Sequence, residues 1–402
     1  MQTQLADFIK DTADGQEANA ILRSCVHCGL CTATCPTYQL LGDERDGPRG
    51  RIYLIKQMLE GETATAKTQL HLDRCLTCRA CETACPSGVK YGRLLEIGRE
   101  TLEETVSRTW LDRFQRKLLR MILPYPARFA PLLQIAGWLR PLLPKILAKK
   151  IPVPSLAPAW PEPRHARKML VLEGCVQPAL APSINAAAAR VLDRLGISLI
   201  RADNAGCCGA VSYHLTATEE GLGFMRRNID AWLPYLELGV EAIVMTASGC
   251  GLMVKQYADA LKHDPAYADK AARISALTLD LAEVLAREDL NALQMDANKR
   301  IAFQSPCTLQ HGQQLNGVVE GILARLGFQL TPVAHPHLCC GSAGTYSLLQ
   351  PDLSIRLLNG KLESLQAGQP DIIATANIGC LTHLQTGTNI PVKHWVELLD
   401  KQ

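Results

Sequence analysis

The stretch CVHCGLCTATCP, from Cys25 to Pro36, carries four cysteines in the order C-x2-C-x2-C-x3-C-P. A second stretch, CLTCRACETACP, from Cys75 to Pro86, repeats the same spacing. Three evenly stepped cysteines can wrap one face of an iron-sulfur cubane. Paired structural zinc sites are the alternative, but zinc sites rarely use three ligands spaced so evenly. The repeat therefore predicts a mostly helical, bacterial-type ferredoxin domain with two 4Fe-4S clusters, placed at residues 1–107.

The same spacing also predicts which thiols share a cluster. In two-cluster ferredoxins the fourth cysteine of each motif is carried away by the following helix and ligates the other cluster. Cluster one is then held by Cys25, Cys28, Cys31 and Cys85, and cluster two by Cys75, Cys78, Cys81 and Cys35. This exchange of ligands would tie the two motifs to each other.

The segment PRGRIYLIKQMLEG, from Pro48 to Gly61, links the two motifs. Its apolar residues recur at helical spacing and Gly61 is a stop signal, so we expect one amphipathic helix. Arg49 and Arg51 on this helix either face an anionic partner or the clusters, or lie on a solvated face. Both interpretations stay open on the sequence.

Composition limits the kinds of protein that this chain can be. Its 402 residues, 47% hydrophobic and 20% charged, are enough for more than one buried core. The first residues show no basic flank, apolar run or cleavage site, so we expect the protein to stay inside the cell. In a reducing compartment, 16 cysteines at short fixed spacings indicate metal ligands rather than disulfides.

Residues 108–163 form a basic segment that differs from the rest of the chain. Between Arg108 and Lys150, ten Lys or Arg accompany a single acid, Asp112, among many Trp, Phe and Leu. The longest uncharged run, FAPLLQIAGWL, has 11 residues, whereas a spanning helix needs about 20. Such segments are typical of helices that lie in anionic headgroups, so we expect peripheral contact with a membrane, or docking to a partner. Packing on the rest of the protein is the alternative.

Prolines within this basic segment are expected to break it into short pieces. The positions concerned are Pro124, Pro126, Pro131, Pro141 and Pro144. No stacking platform or groove-reading helix is evident, so we do not expect nucleic acid as a partner. The proline-rich run IPVPSLAPAWPEP, from Ile151 to Pro163, is predicted to be a stiff linker.

Eight further cysteines form two matching sets. The first set is Cys175, Cys207, Cys208 and Cys250, and the second is Cys307, Cys339, Cys340 and Cys380. Corresponding cysteines are 132 residues apart at three of the four positions, which indicates an internal duplication. We place the two Cys-Cys-Gly modules at residues 164–295 and 296–402.

Each module alternates short apolar runs with longer helical stretches. The runs are MLVLEG, ISLIRA and EAIVMTA in the first module, and RIAFQ, FQLTPV and DIIATA in the second. This order predicts parallel α/β, Rossmann-like modules with right-handed crossovers. The cysteines follow the expected strands, and ligands of such sheets collect at the carboxyl ends of the strands. Each set is therefore predicted to form a thiol pocket, giving a third and a fourth site. An iron-sulfur cluster, zinc and no metal at all stay open as occupants.

Several stretches resemble one known family. ILRSCVHCGLCTATCPTYQLLGDERDGPRGRIYLIKQMLEG, GCCGAVSYHL and CCGSAGTY are similar to the iron-sulfur subunits of bacterial glycolate oxidases, also called glycolate dehydrogenases. The resemblance covers nearly the whole chain and is weakest from about Arg108 to Pro163. These subunits resemble a wider family that includes heterodisulfide reductase catalytic subunits, in which the last ligand element of each module is often C-x2-C. Here Ala247 and Asn377 stand at the first position of that element, so each module has four thiols rather than five.

The resemblance implies an electron-transfer subunit with no catalytic residue of its own. No G-x-G-x-x-G opens a helix after a strand, so hydride chemistry is expected on another polypeptide. The family implies an FAD-containing subunit that oxidises glycolate to glyoxylate, a second flavin-type subunit, and a quinone or other acceptor. The complex is expected on the cytoplasmic side of the inner membrane. The alternatives are the iron-sulfur subunit of a lactate or glycerol-3-phosphate dehydrogenase, and a heterodisulfide reductase-like catalyst.

Overall fold

The computed structural model describes residues 1–142, 159–293, 295 and 297–400. The chain divides into two compact units. The first unit contains residues 1–116 and 337–361, and the second contains residues 117–336 and 362–402. The expected mostly helical N-terminal region is followed by parallel α/β modules, as the sequence predicted.

The first unit consists of helices and connecting loops in its described part. Its α-helices are Ala13–Ser24, Pro36–Leu41, Pro48–Leu59, Ala66–Asp73, Ala80–Thr83, Tyr91–Thr105, Tyr346–Leu349 and the first part of Pro351–Gln366, with short 3-10 helices at Leu30–Thr32 and Glu44–Asp46. Pro36 and Pro48 each occupy the first turn of a helix, where a missing N–H costs nothing. Leu22, Ile55, Leu59, Leu94 and Leu95 are fully buried and form the core.

Helices Pro48–Leu59 and Tyr91–Thr105 pack closely at Gly98. A Cβ atom on Gly98 would lie 2.7 Å from Cγ1 of Ile55, nearer than carbon atoms can approach without a shift. We therefore expect Gly98→Ala to destabilise the protein by about 1–3 kcal/mol through overpacking. Gly360 is the matched control, since it lies in helix Pro351–Gln366 with no atom within 4 Å of such a Cβ.

Thermal unfolding followed by circular dichroism checks the two glycine variants. Gly360→Ala is expected to be neutral or to stabilise by up to about 1 kcal/mol, because alanine restricts the unfolded chain and favours helix. Equal melting temperatures for both variants would show that the helices do not approach as closely as described.

The second unit contains two four-stranded parallel sheets with the same strand order. The first sheet consists of β1 (Arg167–Val171), β2 (Ile197–Arg201), β3 (Ile243–Met245) and β4 (Thr278–Asp280), and the second of β5 (Arg300–Gln304), β6 (Gln329–Leu330), β7 (Ile372–Thr375) and β8 (Val392–His394). The orders are β2-β1-β3-β4 and β6-β5-β7-β8. In register, Met169 pairs with Leu199 and Phe303 with Ala374. The identical orders are what an internal duplication produces.

Helices connect these strands in both modules. They are Gln177–Leu180, Ser183–Arg194, Ala210–His214, Thr218–Glu237, Ser248–Lys255, Tyr257–Ala260, Ala268–Leu277 and Leu281–Arg287 in the first module, and Val318–Arg325, the end of Pro351–Gln366 and Ile378–Gly387 in the second. Short 3-10 turns lie at Leu290–Ala292 and Trp395–Leu398, and a π-helical turn at Thr308–Gly312. Within the second unit, the segments that follow β1, β2, β3, β5 and β7 carry Cys175, Cys207, Cys208, Cys250, Cys307 and Cys380.

The two modules share a hydrophobic core within the second unit. Val171, Val244, Ile301 and Trp395 belong to one continuous buried cluster. Backbone contacts join the cysteine-bearing turns, since Ser248 N donates to Ala376 O at 3.1 Å. The ring of His394, fully buried, lies 2.8 Å from Thr246 O, and burial lowers its pKa to about 4. His394 is therefore a neutral donor that links β8 to the end of β3.

The basic segment forms two helices, Trp110–Ile122 and Pro126–Leu139, followed by a 3-10 turn at Arg140–Leu142. The expected break at Pro131 is wrong, because Pro131 lies inside the second helix. A proline there gives up one backbone hydrogen bond without ending the helix. Pro144, Lys145, Lys149, Lys150 and residues 151–158 of the expected linker lie outside the described residues. Across the part of the chain that is described, no helix combines the length and apolar character that crossing a bilayer requires.

Candidate metal centres

The first cysteine motif forms a tight loop at the end of a helix. Cys25 caps helix Ala13–Ser24, and Cys31 lies in the 3-10 helix that follows. His27 and Gly29 between them have φ values of 61° and 85°, a left-handed backbone that turns the loop back on itself. Cys25, Cys28 and Cys31 line one cavity with Cys85 of the second motif.

The second motif repeats this loop with different residues. Thr77 and Arg79 have φ values of 53° and 61°, so Arg79 adopts the conformation that Gly29 has in the first motif. Cys75, Cys78 and Cys81 line a second cavity with Cys35 of the first motif. Cys81 also lines the first cavity, which makes the two cavities neighbours in the first unit.

Electrostatic neighbours give the same grouping of thiols. Burial raises the pKa of Cys31 to about 11, and the charges of Cys25, Cys85 and Cys28 add to this shift. Burial also raises the pKa of Cys81 well above its ordinary value, with Cys78, Cys75 and Cys35 among the contributing charges. The structure thus brings together both sets of four cysteines that the spacing predicted, including the exchanged Cys85 and Cys35. Four clustered thiols are the donor set that an iron-sulfur cubane requires.

Polar groups surround the thiol of Cys75 at the second cavity. The Tyr91 hydroxyl donates to Cys75 Sγ at 3.5 Å, and the Thr77 N–H donates to it at 3.4 Å. Burial alone would raise the pKa of the Cys75 thiol. The charges of Arg51 and Arg99, with these hydrogen bonds, instead hold its pKa below the ordinary value. The second cavity therefore favours an anion on Cys75.

Arg51 is buried beside this cavity, with 1% of its side chain exposed. Its Nε donates to His71 O at 2.7 Å and its Nη1 donates to Thr37 Oγ1 at 3.1 Å. The sequence left open whether Arg51 lies on a solvated face, and the structure excludes that. Periodicity was the available signal, since Arg51 lies four residues before Ile55 and so shares the apolar face of the helix.

The first cavity has a more open setting. Cys28 is exposed, and its neighbours Val26 and Leu30 are 69% and 57% exposed. Arg49, the nearest arginine on the connecting helix, is half-exposed and pairs with Glu44 at 2.6 Å. A carboxylate therefore neutralises the cation beside the first cavity.

The first Cys-Cys-Gly module brings its four cysteines together. The sulfur atoms of Cys175 and Cys207, of Cys207 and Cys208, and of Cys208 and Cys250 lie within hydrogen-bonding distance of each other. Hydrogen bonds from Cys175 and Cys208 lower the pKa of Cys207 to about 4, which favours a thiolate at this position. Phe224 packs against Cys175 and Cys207, and Tyr125 contacts this cluster. Three of these four cysteines are buried and Cys250 is partly exposed, and such a group of thiols suits a soft metal.

Gly209 sets the geometry of this thiol pocket. Its φ is 91°, and a Cβ atom there would lie 2.8 Å from Gly221 O. Its N–H donates to Cys207 Sγ at 3.4 Å. The second module repeats the turn at Gly341, which has φ of 89° and donates to Cys339 Sγ at 3.4 Å.

The cysteines of the second Cys-Cys-Gly module are divided between the two units. Cys339 and Cys340 belong to the first unit, whereas Cys307 and Cys380 belong to the second. In the first unit, the Tyr346 hydroxyl donates to Arg74 O at 3.2 Å. The charges of Cys75 and Cys339 also act on this hydroxyl. In the second unit, Asn377 lies at the position where the family often has a cysteine, and its Nδ2 donates to Cys380 Sγ at 3.7 Å. All 16 cysteines are described and none forms a disulfide.

Comparisons with family profiles match both parts of the chain. A 4Fe-4S dicluster domain matches residues 21–89, and a cysteine-rich domain matches residues 169–255 and 301–385. The fold is also similar to that of a hypothetical protein from Helicobacter pylori, with a TM-score of 0.58, 10% identity, and coverage of 96% of this chain and 72% of that chain. At that identity the likeness concerns the fold alone.

Two sequence relatives match this chain over all or nearly all of its length. The glycolate oxidase iron-sulfur subunit of Escherichia coli (strain K12) is 57% identical over 100% of this chain and 99% of its own length. A probable glycolate oxidase iron-sulfur subunit of Bacillus subtilis (strain 168) is 28% identical over 96% of this chain and 92% of its own. Lactate utilization protein A of Bacillus licheniformis is 26% identical but covers 57% of this chain and 97% of its own length. The chain belongs to the family of glycolate oxidase iron-sulfur subunits.

Proposed function

We propose that this chain is the electron-transfer subunit of a glycolate oxidase complex. It receives electrons from a flavin-containing subunit that oxidises glycolate to glyoxylate, and it delivers them to a quinone or another acceptor. The observation that carries the proposal is the arrangement of Cys31 and Cys81, each of which lies among three cysteines drawn from both motifs. The full-length relative named as a glycolate oxidase iron-sulfur subunit supports the choice of complex.

The cysteines of the first unit would hold two 4Fe-4S clusters. Cluster one would be held by Cys25, Cys28, Cys31 and Cys85, and cluster two by Cys75, Cys78, Cys81 and Cys35. Such clusters accept and release one electron at a time. The chain's own contribution is to bury three of the four thiols at site two and to leave Cys28 of site one exposed. It also supplies hydrogen bonds and charge around Cys75.

The Cys-Cys-Gly modules would hold further metal. The thiols of Cys175, Cys207, Cys208 and Cys250 form a third site that suits an iron-sulfur cluster or zinc. For Cys307, Cys339, Cys340 and Cys380, the duplication of the sequence alone supports a fourth site. Substrate oxidation belongs to the partner, because hydride acceptance from glycolate needs a flavin or nicotinamide. FAD on that partner and a second flavin-type subunit complete the proposed complex.

The helices of the basic segment support peripheral attachment to the inner membrane from its cytoplasmic side. Trp110 is 72% exposed and Trp138 is 79% exposed, as expected of residues that enter the headgroup region. Fewer cations are available than the sequence suggested. Arg108 is buried among Asp73, Glu103 and Asp112, and Arg116 and Arg120 pair with acids as well. The proposed attachment thus relies more on aromatic and aliphatic side chains than on charge.

Replacing both tryptophans tests this attachment. Trp110→Ser with Trp138→Ser is expected to weaken binding to vesicles of phosphatidylglycerol and phosphatidylethanolamine by about tenfold or more, because each buried aromatic contributes about 1.5–3 kcal/mol. Flotation of the purified full chain with vesicles measures the bound fraction. Leu238→Ser is the control, since Leu238 is 84% exposed outside the basic segment. Undiminished binding by the tryptophan variant would exclude the segment as the attachment site.

Substrate-driven reduction tests the proposed complex. With the purified complex held without oxygen, glycolate is expected to produce the EPR signal of reduced iron-sulfur clusters on this chain. Lactate and glycerol-3-phosphate, the substrates of the alternative complexes, are expected to leave the clusters oxidised. Reduction by lactate but not by glycolate would assign the chain to a lactate dehydrogenase instead.

A further inference from the structure

Arg51 is a buried cation that the electron-transfer proposal does not by itself explain. Its side chain is 1% exposed and lies between the two motifs, on helix Pro48–Leu59. Burying a charge without partners costs several kcal/mol, and Arg51 is held by hydrogen bonds from three sides. Besides the contacts with His71 O and Thr37 Oγ1, its Nη2 lies 3.5 Å from Asp46 Oδ1.

These contacts point Arg51 at the cysteines of cluster two. Thr37, which accepts from Arg51, lies with its Oγ1 3.3 Å from Cys35 Sγ. The charges of Cys75 and Cys35 both act on the Arg51 guanidinium. Arg51 is thus next to ligands from both motifs at one site, and Tyr91 donates to Cys75 from another side.

The carboxylate beside Arg51 does not cancel this positive charge. Asp46, 1% exposed, is shared with Arg74, whose Nη1 lies 2.9 Å from Asp46 Oδ2, and with the His71 ring at 3.0 Å. The nearby carboxylate of Asp43 pairs with Arg45 at 2.7 Å, so the guanidinium groups of Arg51 and Arg74 face Asp46 alone. Arg99 adds a further cation that donates to Cys75 O at 3.0 Å. By contrast, Arg49 near cluster one is matched one to one by Glu44.

Reduction of an iron-sulfur cluster adds one negative charge. Nearby cations and hydrogen bonds to the ligand sulfurs stabilise that charge and raise the reduction potential. We propose that Arg51 and Tyr91 are positioning residues that raise the reduction potential of cluster two, and so bias an electron from the flavin partner toward cluster two rather than cluster one. This inference rests on the proposed function. Tyr346, which lies near Cys75 and Cys339, is also on the side of the first unit where cluster two would bind.

An EPR-monitored redox titration of the purified full chain tests the inference. Signals are assigned to cluster one or two by their loss in Cys28→Ala or Cys78→Ala. In Arg51→Gln, the ratio of reduced to oxidised cluster two at a fixed potential is expected to fall about tenfold, which is 59 mV for one electron. Tyr91→Phe keeps the ring and removes only the hydrogen bond to Cys75 Sγ, so it is expected to shift the same cluster in the same direction by less. Tyr91 lines both cavities, but its hydroxyl donates to Cys75 Sγ, so cluster one is expected to shift by less than cluster two in both variants.

Arg93→Gln is the matched control. It also removes one partly buried arginine from the first unit, but Arg93 pairs with Asp14 and Glu17. Tyr91→Phe keeps the test decisive if Arg51→Gln does not fold. Unchanged potentials in Tyr91→Phe and any folded Arg51→Gln, or equal shifts of both clusters, would overturn the inference while the proposed function stands. A wild-type chain without reducible iron would overturn both.

Discussion

Cys78→Ser is expected to reduce acceptor turnover by the complex to background, while glycolate still reduces the flavin of the partner subunit at the normal rate. Cys78 lines the cavity of cluster two with Cys35, Cys75 and Cys81. Removing one of four thiolates destroys or misplaces the cubane that these residues would hold. Flavin chemistry on the partner does not depend on that site. Stopped-flow absorbance of the flavin, beside steady-state reduction of a quinone analogue, separates the two steps.

Thr83→Ser is the matched control for this substitution. It introduces the same residue type, serine, into the same motif, at a position that lines neither cavity. It is expected to keep both flavin reduction and acceptor turnover. Loss of flavin reduction in Cys78→Ser would indicate that the complex had come apart, and sustained acceptor turnover would show that electrons take another route.

Cys85→Ala is expected to remove cluster one, although Cys85 belongs to the second motif. The charge of Cys85 acts on Cys31, with those of Cys25 and Cys28. Cys35→Ala is expected to remove cluster two for the reciprocal reason, since Cys35 acts on Cys81. In each variant the iron content of the first unit should fall by about four atoms, the content of one cubane.

EPR of the reduced variants distinguishes exchanged from local ligation. Under exchange, Cys85→Ala lacks the same signal as Cys28→Ala, and Cys35→Ala lacks the same signal as Cys78→Ala. The opposite pairing would mean that each motif holds its own cluster. Each cavity of the first unit would then be lined by cysteines that bind two different clusters.

Much of the architecture follows from local patterns in the sequence. The alternating apolar and helical stretches predicted β1, β2, β3, β5, β6 and β7 near their observed positions. Strands Thr278–Asp280 and Val392–His394 were not predicted, because their residues, TLD and VKH, include polar side chains and do not form an apolar run. They form only by pairing with β3 and β7.

The parts of the site that depend on the spacing of the cysteines could be predicted from the sequence. The parts that depend on tertiary contacts could not. Fixed spacing was enough to predict which four cysteines of the two motifs come together at each cavity of the first unit, since a short loop can wrap around one ligand; that each group binds a cluster stays a prediction. The buried Arg51 was not chosen, because an arginine on an amphipathic helix is usually solvated. Linear order also gave no sign that Cys339 and Cys340 belong to a different unit from Cys307 and Cys380.

The most direct test of the account is metal analysis of the full chain purified without oxygen. Iron and sulfide assays with EPR before and after dithionite reduction measure how many clusters are present and whether they are redox-active. We expect a brown protein with at least about eight iron atoms per chain, four for each cubane in the first unit. A colourless protein that folds fully without iron would contradict it.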